Sequence, residues 1–198
     1  MEDINILYID DNIDPYVSKY LKNGLNIADI NKAYTEFTFT DEETYESLLG
    51  KNEVKIADLI IIDSKLFENN KVKKQKLKGE EFKLILRKFF PYKEVVVITQ
   101  NKIPEEYKVL PKYNSENYSN SDRFFDKNWV PTIKTAIKNI IDYKNIANIF
   151  QNNKNIEKNL IEKIINTLDG SNEYDLLKST DITKLIRIFK ELEEKYNE

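Results

Sequence analysis

Ile4-Asn5-Ile6-Leu7-Tyr8-Ile9-Asp10-Asp11 is an apolar strand that ends on two consecutive carboxylates, and Ala57-Asp58-Leu59-Ile60-Ile61-Ile62 is a second strong strand that delivers Asp63 at its end. In a parallel α/β sheet the carboxyl ends of neighbouring strands form the binding crevice. Three carboxylates converging there repel one another unless a hard divalent cation sits between them. Mg²⁺, with oxygen ligands and retained waters, suits that arrangement. Asp10, Asp11 and Asp63 are therefore the candidate metal ligands, and the pattern points to metal-dependent phosphoryl chemistry.

Outward from these strands the chain alternates. After Asp11, Asp14 is placed to cap a helix with Pro15 at its first position, and Tyr16, Val17, Tyr20 and Leu21 repeat at helical spacing as far as Asn23-Gly24. Tyr34-Thr35-Glu36-Phe37-Thr38-Phe39 alternates as a strand, and Asp41 to Leu49 reads as a helix closed by Gly50. Beyond Asp63 comes a lysine-rich loop, with Lys71, Lys73, Lys74, Lys76 and Lys78 read as a solvated surface, then a helix from Gly79. Val95-Val96-Val97-Ile98 is a continuous apolar strand ending at Thr99, of the kind buried on both faces of a parallel sheet. Residues 100 to 122 are polar and show no clear helix. Arg123-Phe124-Phe125-Asp126-Lys127 reads as a short fifth strand, followed by a helix from Trp129 with Ile133, Ala136, Ile137, Ile140 and Ile141 on one face. Five alternations predict a doubly wound, five-stranded parallel α/β sheet over residues 1–148.

Residues 149–198 read as helix alone. Ile156, Leu160, Ile164 and Leu168 form one apolar stripe, and Ile182, Leu185, Phe189, Leu192 and Tyr196 a second, heptad-like but short. This extension is the expected output or interaction element, packed on the sheet domain or paired in a homodimer.

The 198 residues carry 40% apolar and 33% charged residues and a formal net charge of −3. That charge gives no field to attract DNA or an anionic membrane, and no apolar run is long enough to span a bilayer. The acidic start, Met1-Glu2-Asp3, lacks the basic region of a secretory signal, so a cytoplasmic location is expected. Cysteine and histidine are both absent. Thiolate and imidazole metal sites, Ser-His-Asp triads and phosphohistidine on this chain are thereby excluded. The chemistry must use carboxylates, lysines and hydroxyls.

Asp10-Asp11, Asp63, Thr99 and Lys127, in that order and each at a strand end, resemble the receiver domain of two-component response regulators. The resemblance implies strand order 2-1-3-4-5 and a phosphorelay role. Asp63 would be the nucleophile that accepts a phosphoryl group from a partner histidine kinase or phosphotransfer protein. Asp10 and Asp11 would hold Mg²⁺, Thr99 would hydrogen-bond a phosphoryl oxygen and Lys127 would pair with another. Phosphorylation would then change the binding of a downstream protein partner, and Phe124 matches the aromatic that rotates inward on activation.

Several positions depart from the family pattern. Gln100 replaces the usual small residue after the threonine, Asn128 replaces the usual proline, and Gly79 lies about twice as far beyond Asp63 as the family's glycine does. Lys112 in Leu110-Pro111-Lys112 is the rival for the family's lysine, but it follows Thr99 too soon to leave room for a helix and another strand, so Lys127 is preferred. Two other readings compete with the signalling one. A pseudo-receiver keeps the fold without being phosphorylated. A Mg²⁺-dependent phosphohydrolase is disfavoured, because such enzymes place a second acid two residues after the nucleophile and Lys65 stands there.

Overall fold

A computed structural model describes residues 1–40, 43–66, 78–101 and 109–151, together with 158, 161, 162, 165 and 166. Strands β1 (Glu2–Asp10), β2 (Ile30–Thr38), β3 (Leu59–Asp63), β4 (Glu94–Thr99) and β5 (Val109–Pro111) form one all-parallel sheet in the order β2-β1-β3-β4-β5. The helices are α1 (Pro15–Lys19), continued by a π-helical turn at Tyr20–Gly24, then α2 (Tyr45–Gly50), α3 (Asn52–Ile56), α4 (Gly79–Phe89), α5 (Ser121–Asn128) and α6 (Val130–Gln151). The predicted class and strand order are those observed.

Successive residues of a strand face opposite sides of the sheet, and the side chains sort accordingly. Leu7, Ile9, Ile60, Ile62, Val95 and Val97 pack under α2, α3 and α4 through Leu48, Val54, Phe82 and Leu86. Ile4, Ile6, Tyr8, Leu59, Ile61, Val96 and Ile98 pack under α1, α5 and α6 through Val17, Phe125, Trp129 and Ile133. Full burial on both faces explains why these central strands read as unbroken apolar runs. Each fully buried Ile or Leu contributes roughly 1.5–3 kcal/mol.

The local signals behave as physical chemistry dictates. Asp14 caps α1 by accepting from the Tyr16 and Val17 amides, with Pro15 at the first position. Two lysines satisfy helix-end carbonyls. Lys32 Nζ donates to Leu21 O at 2.8 Å and Leu25 O at 2.5 Å, and Lys93 Nζ donates to Lys55 O at 2.5 Å and Ala57 O at 2.6 Å.

The last part of the sheet differs from the sequence expectation. Arg123 to Lys127 is not a strand but the middle of α5, begun by Asn120, whose side chain accepts the Arg123 amide at 2.9 Å. Phe124 and Phe125 are buried within one helix face that also serves Trp129, and Lys127 is exposed. The fifth strand is instead Val109-Leu110-Pro111, inside the stretch that reads as structureless. Three residues are too few to show a period of two, and an apolar pair in a polar setting fits helix and strand equally well. α6 runs through Gln151, so the boundary drawn at 148/149 lies inside a helix. The two apolar stripes of the extension, and the loop lysines Lys71, Lys73, Lys74 and Lys76, lie outside the described residues. Among the described residues, no helix is long and apolar enough to cross a membrane.

Candidate functional site

The pleat that sorts the core also assembles the site. Tyr8 and Asp10 share one face of β1; Ile61 and Asp63 share the same face of β3; Leu110 and Lys112 continue that face at the end of β5. Thr99 pairs with Pro111 in the β4–β5 ladder, and the Lys112 amide donates to Thr99 O at 2.7 Å. That pairing brings Lys112 across to the carboxylates. Its ammonium lies 2.7 Å from Asp10 Oδ2 and 2.8 Å from Asp63 Oδ1.

Lysine therefore reaches the site from position 112, and the preference for Lys127 is corrected. The length argument against Lys112 was that a helix and another strand would not fit after Thr99, whereas β5 takes only the three residues Val109–Pro111. Lys127 lies on the solvent side of α5.

Each carboxylate is held by directional bonds. Asp10 is 1% exposed; Oδ1 accepts the Asn12 amide at 3.0 Å, and Oδ2 accepts the Tyr8 hydroxyl as well as Lys112. Asp63 is 6% exposed, and its Oδ2 accepts the Lys65 amide at 2.8 Å. One carboxylate oxygen from each of Asp10, Asp11 and Asp63 can be chosen so that all three lie within 4.8 Å of one another. Octahedral Mg²⁺ holds oxygens at about 2.1 Å, so its opposite ligands are about 4.2 Å apart. Adjacent ligands are about 3.0 Å apart, so the three carboxylates would draw closer by side-chain rotation to share one cation. As a set of hard oxygen donors they fit Mg²⁺.

Burial is the largest influence on Asp63 and lifts its carboxyl above the usual aspartate value, a rise that Lys112 opposes and Asp10 reinforces. Burial pulls the Lys112 ammonium down, but Asp63 and Asp10 together outweigh it and hold it above the usual lysine value. The Tyr8 phenol is held far above its ordinary value, first by burial and then by the Asp10 charge beside it. The site thus combines the Lys112 ammonium and the Tyr8 hydroxyl as donors to one carboxylate face.

Above the cluster opens a cleft of about 760 Å³, lined by Asp10, Asp11, Asp63, Lys65, Gln100 and Lys112 among others. Gln100 is exposed at its rim. Thr99 is buried at the end of β4, and its Oγ1 accepts the Asn101 amide at 3.1 Å.

Gly79 belongs to the site despite its distance in sequence. Its amide donates to Ser64 O at 2.9 Å, and Ser64 Oγ bonds Glu80 Oε1 at 2.8 Å, so the long loop after β3 is tied off at its neck. A Cβ at Gly79 would overlap the Asp63 carbonyl oxygen and lie 2.9 Å from Ser64 Cα. Gly79 thus lies against the backbone of Asp63 although it is 16 positions later in the chain. Gly79→Ala is expected to destabilise the protein by about 1–3 kcal/mol, the usual cost of overpacking. Urea denaturation reads this against Gly50→Ala, whose added methyl meets nothing within 4 Å. Equal midpoints for the two variants would show that the Gly79 contact is slack.

Sequence reading missed Tyr8 as a site residue. Its signal was the two-residue spacing to Asp10, which places both on one face of β1. The chain matches no protein-family model, and no curated protein or solved structure is similar enough to it to count as a match.

Proposed function

We propose that this chain is a receiver-type signalling domain that accepts a phosphoryl group on Asp63 from the phosphohistidine of a partner kinase or phosphotransfer protein. The observation that carries this reading is the Lys112 ammonium spanning Asp10 and Asp63 beside a third carboxylate, Asp11, at the carboxyl ends of adjacent parallel strands.

Asp63 supplies the nucleophilic oxygen. The oxygen–phosphorus bond forms as the phosphorus–nitrogen bond of the donor breaks, and the departing imidazole keeps that electron pair. Asp10, Asp11 and Asp63 would hold Mg²⁺, which when bound neutralises charge on the phosphoryl oxygens. The Lys112 ammonium, on a flexible stem, turns from Asp63 to a phosphoryl oxygen as charge accumulates there. Thr99, whose carbonyl accepts the Lys112 amide in the β4–β5 ladder, would carry the change, and a changed surface would then alter protein partner binding. The expected mass gain on incubation with acetyl phosphate and Mg²⁺, lost with a chelator, tests the reading. An unmodified protein under conditions that leave it folded would favour the pseudo-receiver, a reading to which the ammonium already seated between Asp10 and Asp63 gives support.

Metal binding has its own optical test. Trp129 is fully buried and its Nε1 donates to Pro111 O at 2.8 Å, one residue before Lys112. Its fluorescence is expected to change saturably at millimolar Mg²⁺, and Asp11→Ala is expected to weaken that response at least several-fold, since fewer carboxylates bind a hard cation less tightly. An identical titration for Asp11→Ala would remove Asp11 from the ligand set.

A further inference from the structure

We propose that Tyr8 is a positioning residue for the cation site, holding Asp10 and the loop from Asp10 to Asp14 in the geometry that binds Mg²⁺; the inference rests on the metal reading above. Tyr8 is fully buried, and its ring belongs to the core between β1 and the α1, α5 and α6 layer. A phenylalanine would fill that space equally well. The hydroxyl instead reaches the end of the strand, donates to Asp10 Oδ2 and accepts the Asp14 amide at 3.3 Å. Asp14 in turn caps α1 through the Tyr16 and Val17 amides. One hydroxyl thus ties the candidate ligand Asp10 to the cap of the first helix, with Asp11 between them.

The two donors on Asp10 Oδ2 differ in kind. Lys112 is a mobile point charge that also serves Asp63, whereas Tyr8 is fixed by its packed ring. When Lys112 turns toward a phosphoryl group, Tyr8 still restrains Oδ2. Asp10 cannot then rotate about Cβ–Cγ, and Oδ1 stays aimed by the Asn12 amide. Partners that orient metal ligands in this way typically account for 10–100-fold in affinity.

The test compares Tyr8→Phe with Tyr20→Phe in the full chain. Tyr20 is also buried and also bonds a carboxylate, Asp126 Oδ1 at 2.8 Å, away from the cluster, so it controls for loss of a tyrosine–aspartate bond as such. Mn²⁺ binding followed by electron paramagnetic resonance, with Mg²⁺ as competitor, gives affinities without any phosphoryl transfer. Tyr8→Phe is expected to weaken Mg²⁺ roughly tenfold, and Tyr20→Phe to stay within about twofold of wild type. With acetyl phosphate, the Mg²⁺ concentration for half-maximal labelling of Tyr8→Phe should rise while the rate at saturating Mg²⁺ is retained. Unchanged affinity in Tyr8→Phe, equal weakening of both variants, or a fall in the saturated rate alone would overturn the proposal. A wild-type protein that binds neither cation would overturn the metal reading itself.

Discussion

Asp63→Asn is expected to abolish phosphoryl labelling by acetyl phosphate with Mg²⁺, because the amide keeps the shape of the side chain and removes the proposed nucleophile. The loss should be complete, and the protein should remain folded. The amide oxygen can still accept the Lys65 amide, and Lys112 retains Asp10. Stability at neutral pH should not fall. Burial raises the folded-state value of Asp63 above 3.8, so the native protein binds its proton more readily than the unfolded chain does. Ionised Asp63 therefore opposes folding above that raised value, the opposition fades as pH drops through it, and it is absent below 3.8. Asp63→Asn should accordingly match or exceed wild type in thermal midpoint at pH 7, with the difference vanishing in acid. Labelling of Asp63→Asn to the wild-type level would place the acceptor elsewhere and end the receiver reading.

Lys112→Ala is expected to have the largest effect on stability. Removing one partner of a buried ion pair leaves an uncompensated charge and costs about 3–5 kcal/mol. Here two buried carboxylates would face each other without the ammonium. Mg²⁺ should restore much of the lost stability, since a cation that binds the folded state alone stabilises it increasingly as its concentration exceeds its Kd. The phosphoryl response should not return, because the ammonium pairs with the anion. Lys127→Ala, at an exposed position on α5, should stay within about 0.5 kcal/mol of wild type and label normally. Denaturation curves with and without Mg²⁺, paired with labelling rates, check both. A labelling defect in Lys127→Ala and none in Lys112→Ala would contradict the geometry of the site.

Much of the architecture was legible in sequence because the central strands are buried on two faces. Ile6 to Ile9, Leu59 to Ile62 and Val95 to Ile98 are apolar without interruption, as strands buried on both faces of a parallel sheet are. Asp14-Pro15 announced the start of α1 through local capping chemistry, which acts between residues a few positions apart. Asp10, Asp11 and Asp63 were legible for a related reason, since carboxylates directly after such strands fall at the carboxyl edge of the sheet. Their convergence follows from adjacency of β1 and β3.

The lysine, the tyrosine and the glycine were decided by tertiary structure. β5 is three residues long, and its pairing with β4 supplies the order that its own sequence does not carry. Once Thr99 pairs with Pro111, Lys112 has one direction available, toward Asp10 and Asp63; Lys127, on a helix whose other face buries Phe124 and Phe125, has none. Tyr8 reads as one more apolar strand residue until the pleat places its hydroxyl under Asp10. Gly79 looks misplaced until the bonds among Ser64, Gly79 and Glu80 close the loop and return it to Asp63. Sequence by itself determined the periodicity, the caps and the carboxylates at strand ends, all set by interactions among near neighbours. Only the folded chain decided which cation meets those carboxylates, because that contact joins residues about a hundred positions apart through strand pairing across the sheet.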